Sequence, residues 1–204
     1  MTKKTDVQSP KTAAVKDLLY QALETEMGGV LIYRQALKCT QNDALREEWE
    51  EYLEQTEEHV EKLQEVFAAM ELDPEADTPG RLVVRHIGES LIEAMEMAAE
   101  GGSKASAEIA AAECVVFAET KDHANWGLLG RVAKNLVGKG AKELTAAYET
   151  IEDEEDAHLY HTAGWARELW IQALGMPAML PPPEEEQKVT SAAGAERAKR
   201  SAGR

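Results

Sequence analysis

Apolar residues recur along this chain at alternating steps of three and four, the spacing that aligns one face of an α-helix. One such series is Leu144, Tyr148, Ile151, Glu155, His158, Thr162, Trp165, Leu169, and another is Leu45, Trp49, Tyr52, Thr56, His59, Leu63, Val66, Met70. Val15, Leu19, Ala22, Val30, Tyr33 and Leu37 form a third, with Glu26 falling within it. The fourth reads Ile109, Ala112, Val116, Glu119, His123, Trp126, Gly130, Ala133. Cap and breaker residues divide these series. Ser9-Pro10, Thr78-Pro79 and Ser103 are start signals, and Asp73-Pro74, Gly101-Gly102, Gly138, Gly140, Gly175 and Pro177 are stops. The predicted helices span about 11–40, 42–72, 79–100, 103–136 and 141–174. A short turn between the first two makes them antiparallel neighbours, and the helix over 79–100 becomes a crossover between the second and third long helices. The expected fold is all-α: an antiparallel four-helix bundle over 11–178 with an extra helix in the crossover. Residues 1–10 read as a flexible N-terminus. Residues 179–204, rich in Pro, Glu, Ala and Gly, carry too little apolar content to fold alone and read as a disordered tail. Gly28 and Gly29, in mid-helix, each weaken it by about 1 kcal/mol relative to alanine. Close contact with a neighbouring helix, or a π-bulge beside Glu26, would account for them.

Composition agrees with long amphipathic helices, since 29% of the 204 residues are charged and only 5% aromatic. The net charge is −16, and because the ends 1–10 and 181–204 are each about +1, the body carries about −18. Nucleic acid and anionic membranes are therefore poor partners. Cys39 and Cys114 are far apart and form no C-x-x-C pair, so neither a zinc ribbon nor a disulfide framework is expected. The first residues lack an apolar signal segment and no long apolar run follows, which makes a cytoplasmic protein the expectation. A homodimer stays open.

The chemistry lies in the polar residues on the apolar faces. Glu26, His59, Glu119, Glu155 and His158 all stand about 14 to 17 residues after their predicted helix starts, so they share one level of the bundle. The two halves look like a pseudo-repeat, in which Glu26 precedes Tyr33 by seven residues and Glu119 precedes Trp126 by seven. Burying three glutamates together costs several kcal/mol per charge, and no lysine or arginine lies on the four series to offset it. Two divalent cations would, with carboxylates bridging and neutral imidazoles completing the sphere. Glu26, His59, Glu119, Glu155 and His158 are the candidate ligands. His123, one turn beyond Glu119, is a further candidate, with a hydrogen-bonded core histidine as the alternative. Tyr33, Thr56 and Trp126 are expected around the ligands, and His161 and His86 as structural or surface groups.

The chain resembles the ferritin-like superfamily over roughly residues 11–175. The resemblance rests on Glu26-x6-Tyr33, His59 within Glu-Glu-His-Val-Glu-Lys-Leu, Glu119, the Glu155-Asp-Ala-His158 motif, and the long crossover. The wording from Leu53 to Met70 is similar to the small bacterial stress-associated ferritin-like proteins of the YciF type, and the whole to a rubrerythrin-like bundle without a rubredoxin domain. Such a resemblance implies a dinuclear centre of two divalent metal ions, iron ahead of manganese. It implies reaction with O₂ or peroxide and an unknown reductant, in ferroxidase- or peroxidase-like chemistry serving stress defence or iron handling. One position departs from the pattern: the first-half motif would have glutamate three residues before His59, and Thr56 stands there. The alternative reading is thus a non-catalytic ferritin-like scaffold or binding protein with a degraded site.

Overall fold

The computed structural model describes residues 10 and 12–179. Among them the chain is all-helical, with no strand: α1 Thr12–Cys39, α2 Asp43–Ala69, α3 Pro79–Gly101, α4 Lys104–Ala133 and α5 Ala141–Ala173. The cap expected at Ser9 and the tail at 180–204 lie outside the described residues. At the starts of α2, α3 and α4, side chains satisfy free backbone amides. Asn42 accepts from the amides of Ala44 and Leu45, Thr78 from Arg81, and Ser103 from Ser106. Pro79 occupies the first turn of α3, where its missing N–H costs nothing. Two helices end about three residues short of expectation. α2 stops at Ala69 because Glu71 turns into the left-handed region at φ 56, and α4 stops at Ala133 ahead of a turn through Asn135 and Leu136. Gly140 opens α5 at φ 76, with Met70 packed where a β-carbon would stand, so only glycine fits.

In this bundle-like arrangement α1 packs on α2, α2 on α5, α5 on α4 and α4 on α1, while α3 lies against α1 and α4. Two apolar clusters fill the interior. One contains Tyr33, Trp49, Tyr52, Val115 and Leu169, and the other Leu19, Leu63, Phe67, Trp126, Leu144 and Ile151. Their order along the chain reverses between packed neighbours. α1 and α5 pass from the second cluster to the first, whereas α2 and α4 pass from the first to the second. Between the clusters every one of these four helices carries buried polar side chains: Glu26 on α1, Thr56 and His59 on α2, Glu119 and Asp122 on α4, Glu155 and His158 on α5. A polar layer is therefore sealed above and below by apolar packing.

α3 is anchored by charge more than by burial, since only Arg81, Val84 and Met95 of its residues are buried. Arg81 Nε donates to Glu24 Oε2 at 2.5 Å, and Arg85 Nε to Glu24 Oε1 at 2.7 Å. No helix among the described residues is long and apolar enough to cross a membrane.

Candidate metal centre

The structure brings Glu26, His59, Glu119, Glu155 and His158 into one cluster, each no more than 4% exposed. Two overlapping triads result. Ligand atoms of Glu26, His59 and Glu155 lie within 4.8 Å of one another, and so do those of Glu119, Glu155 and His158. Glu155 is common to both. Its Oε1 stands 3.1 Å from His59 Nδ1 and 3.8 Å from His158 Nδ1, between two imidazoles stacked with centroids 5.6 Å apart. His59 Nδ1 also lies 3.4 Å from Glu26 Oε1, and His158 Nδ1 lies 3.7 Å from Glu119 Oε2.

Both imidazoles are held from behind. His59 Nε2 bonds Glu154 Oε2 at 2.8 Å, and His158 Nε2 donates to Gln55 Oε1 at 2.7 Å. Each Nδ1 consequently faces the carboxylates, the orientation in which a neutral ring presents its lone pair to a cation. Glu26 is oriented in the same way, by Trp126 Nε1 donating to its Oε1 at 2.6 Å. The Tyr33 hydroxyl, fully buried, sits beside Glu119 without an aligned hydrogen bond.

Electrostatics mark the cluster as short of positive charge. Burial, followed by the charge of Glu155, pushes Glu119 well above the carboxylate range. Burial also raises Glu155 to about 7. For His59 burial favours the neutral ring, yet the Glu26 charge and the closeness of the Glu155 and Glu26 carboxylates prevail and raise it to about 11. His158 goes the other way, to about 3, through burial and then the charge of His59. His59 is thus the group of the layer whose charged form its surroundings favour.

Glu26 Oε2, His59 Nδ1, Glu119 Oε2, Asp122 Oδ1 and both oxygens of Glu155 are buried without a hydrogen-bond partner. Leaving such groups unmade costs about 1–3 kcal/mol each, more for charged ones, so their convergence on one layer fits a cation site.

Two placements differ from expectation. His123 is not with the ligands: it is about 35% exposed, and its Nε2 bonds Asp156 Oδ1 at 2.7 Å. The turn of α4 brings Asp122 inward instead, 4% exposed, three residues after Glu119 rather than four. Thr56 is buried, but its hydroxyl donates to the Tyr52 carbonyl at 2.7 Å and is spent on its own helix. His86 is exposed. His161 is largely exposed as well, its Nδ1 2.7 Å from the Tyr52 hydroxyl. Sequence reading also passed over Glu154 and Gln55, whose positions beside the apolar faces look like solvent positions. A scan against family models and a search of curated proteins each returned no match for the chain.

Proposed function

We propose that this protein is a ferritin-like metal-binding protein: an antiparallel four-helix bundle that holds two divalent ions, iron or manganese, and reacts with O₂ or peroxide. The observation that carries the reading is the convergence of six unpartnered buried donor atoms from three glutamates, one aspartate and one histidine on a single polar layer. The reversed order of the apolar clusters along packed neighbours supports the antiparallel bundle. A set of hard carboxylate oxygens with two imidazoles suits iron or manganese. When bound, such a pair supplies redox chemistry toward O₂ or peroxide.

The chain's own residues have separable tasks in this reading. Glu26, His59 and Glu155 would hold one ion, and Glu119, Glu155 and His158 would hold the other. Glu154 and Gln55 fix the two rings, and Trp126 fixes Glu26. Apolar packing on both sides keeps bulk water from the layer. Ion binding requires His59 Nδ1 and the carboxyls to release their protons.

Metal analysis after purification without chelator and reconstitution with Fe²⁺ or Mn²⁺ tests this. Close to two ions per chain are expected, and the Glu155→Ala/His158→Ala variant should lose most of them. Unchanged metal content in that variant refutes the assignment. The turned-away hydroxyl of Thr56 favours a second reading, a non-catalytic scaffold with a degraded site. It requires that the reconstituted protein hold one ion or none and consume neither O₂ nor peroxide beyond the rate of the free ion.

A further inference from the structure

Between α1 and α3, with sides from α2 and α4, lies a cavity of about 780 Å³. Its size falls within the range of about 300–1,000 Å³ that small-molecule sites occupy. It is separate from the polar layer, since none of the five candidate metal ligands lines it. Three features set it apart from ordinary surface. Leu31, Ile87 and Phe117, from three different helices, are each more than half exposed, yet all of them line this one space. Large apolar side chains gathered on an open surface mark a binding site.

The second feature is room. Gly28 and Gly88 line the cavity from α1 and α3, and a β-carbon on either would meet nothing within 4 Å. No close approach of a neighbouring helix requires glycine there, although each glycine weakens its helix relative to alanine. The third feature is an unmatched charge. Of the cations that line the cavity, Arg34 pairs with Glu57, and Arg81 and Arg85 pair with Glu24. Lys121 is half-buried and forms no salt bridge among the described residues. Its ammonium donates to the neutral Asn125 Oδ1, and Asn125 Nδ2 donates in turn to Thr25. Asp17 and Asp122 act on it only at longer range. The other lining carboxylates, Glu61, Glu75 and Glu89, lie wholly or partly in solvent, where water and salt screen their field.

An apolar enclosure with one unmatched cation fits an amphipathic anion. We propose that this cavity binds a medium-chain fatty acid, with the hydrocarbon against Leu31, Ile87 and Phe117 and the carboxylate on Lys121 Nζ. The site stands independently of the metal-centre reading, and neither requires the other.

Calorimetric titration of the full-length protein with dodecanoate, below its micelle-forming concentration, tests this, with dodecanol as the uncharged probe. The parent should bind one dodecanoate per chain, and dodecanol at least about tenfold more weakly, the difference that a charge-assisted hydrogen bond makes. Lys121→Met keeps the apolar stem and removes the charge. It should weaken dodecanoate at least about tenfold and leave dodecanol unchanged, whereas a general loosening of the fold would weaken both. Gly88→Leu fills the cavity from α3 and should weaken both probes without lowering the urea midpoint. A parent that takes up no dodecanoate, or a Lys121→Met variant that binds it as tightly as the parent, overturns the proposal. So does unchanged binding by Gly88→Leu, which would place the ligand elsewhere. Should Lys121→Met not fold, the preference of the parent for dodecanoate over dodecanol decides, and equal affinities overturn the proposal. A chain that sediments as a dimer, with Gly88→Leu restoring the monomer, would give the cavity to a second copy and overturn it as well.

Discussion

Glu24 and Glu26 stand two residues apart on α1, both buried, and they live in opposite circumstances. Glu24 is met by two guanidinium groups from α3, with Arg81 at 2.5 Å and Arg85 at 2.7 Å. Burial would raise its pKa, but hydrogen bonds from Arg85 and Arg81 outweigh that and hold it below the ordinary value. Glu26 has Trp126 on one oxygen, His59 at 3.4 Å, and nothing on the other oxygen. A buried carboxylate that anchors a fold carries its counter-charge with it. One that serves a ligand is left short of it, and the shortage is a cost in the free protein.

The largest effect should come from breaking the satisfied region. Arg81→Met removes a fully buried partner and leaves Glu24 with only the half-buried Arg85. Breaking a buried pair from one side costs about 3–5 kcal/mol. Urea unfolding should register this loss equally with and without Mn²⁺, because α3 carries none of the candidate ligands. A loss that Mn²⁺ reverses would erase the distinction between the two carboxylates.

The unsatisfied region should respond with the opposite sign. Glu119→Met replaces a carboxyl whose Oε2 has no partner with an apolar side chain of similar length. Removing such a group relieves a desolvation cost of about 1–3 kcal/mol, so the metal-free variant should unfold at higher urea than the metal-free parent. The same variant should lose the ion bound between Glu119, Glu155 and His158. Lower stability in the metal-free variant would show that Glu119 stabilises the fold in the manner of Glu24.

How much of this contrast the amino-acid sequence reveals depends on the helix. On α2 and α5 the buried faces are single, so Leu45 to Met70 and Leu144 to Leu169 read cleanly and place His59, Glu155 and His158 correctly inward. α4 touches α1, α3 and α5, and apolar residues therefore occupy more than one face. Its series could be drawn through Val116 and His123 or through Val115 and Asp122, and the structure buries the second. The signal for Asp122 was present in the three-residue step shared with Glu155-x-x-His158. On α1 the face runs through Gly29 and Ala36, small residues that the bulkier Val30 and Leu37 overshadow. The arginine anchor of Glu24 had no local signal. It joins residues 57 and 61 positions apart through the packing of α3.

Protons offer a finer probe of the same shortage. Glu155, raised to about 7 from an ordinary 4.5, is increasingly protonated in the free protein as pH falls through 7. Each proton that an ion must displace weakens binding about tenfold per pH unit below that point, so Mn²⁺ affinity should fall between pH 7 and pH 5. Metal-free stability should change less over this window. Glu155 gains as pH falls from 7 toward 4.5, because the folded state holds the proton more tightly. His158, lowered to about 3, loses as pH falls from 6.5, because only the unfolded ring takes up the proton. His59, raised to about 11, stays charged when folded, and its contribution declines only above pH 6.5. Calorimetry in buffers of different ionisation enthalpy should accordingly detect protons released on binding. Affinity independent of pH across this range would remove Glu155 from the ligand set.

The smallest expected effect separates the two faces of α1 by one methyl group. Gly28 lies four residues beyond Glu24 and lines with it a cavity of about 780 Å³, and a β-carbon there meets nothing within 4 Å. Gly29 lies three residues beyond Glu26, where a β-carbon would stand 3.3 Å from Thr56 Cγ2. Alanine in mid-helix is favoured over glycine by about 0.8–1.0 kcal/mol, so Gly28→Ala should gain close to that amount. Gly29→Ala has the same intrinsic gain but must push Thr56 aside. That side chain is β-branched and its hydroxyl is bonded to the Tyr52 carbonyl, so its methyl cannot swing away without breaking the bond. Overpacking of this kind costs about 1–3 kcal/mol, enough to cancel the gain or reverse it. Urea midpoints should therefore rise for Gly28→Ala and stay level or fall for Gly29→Ala. Combining Gly29→Ala with Thr56→Ala should recover the difference, a coupling that a double-mutant cycle reads directly. Equal gains at both glycines would mean that α1 and α2 are not held closely together at the level of the ligands.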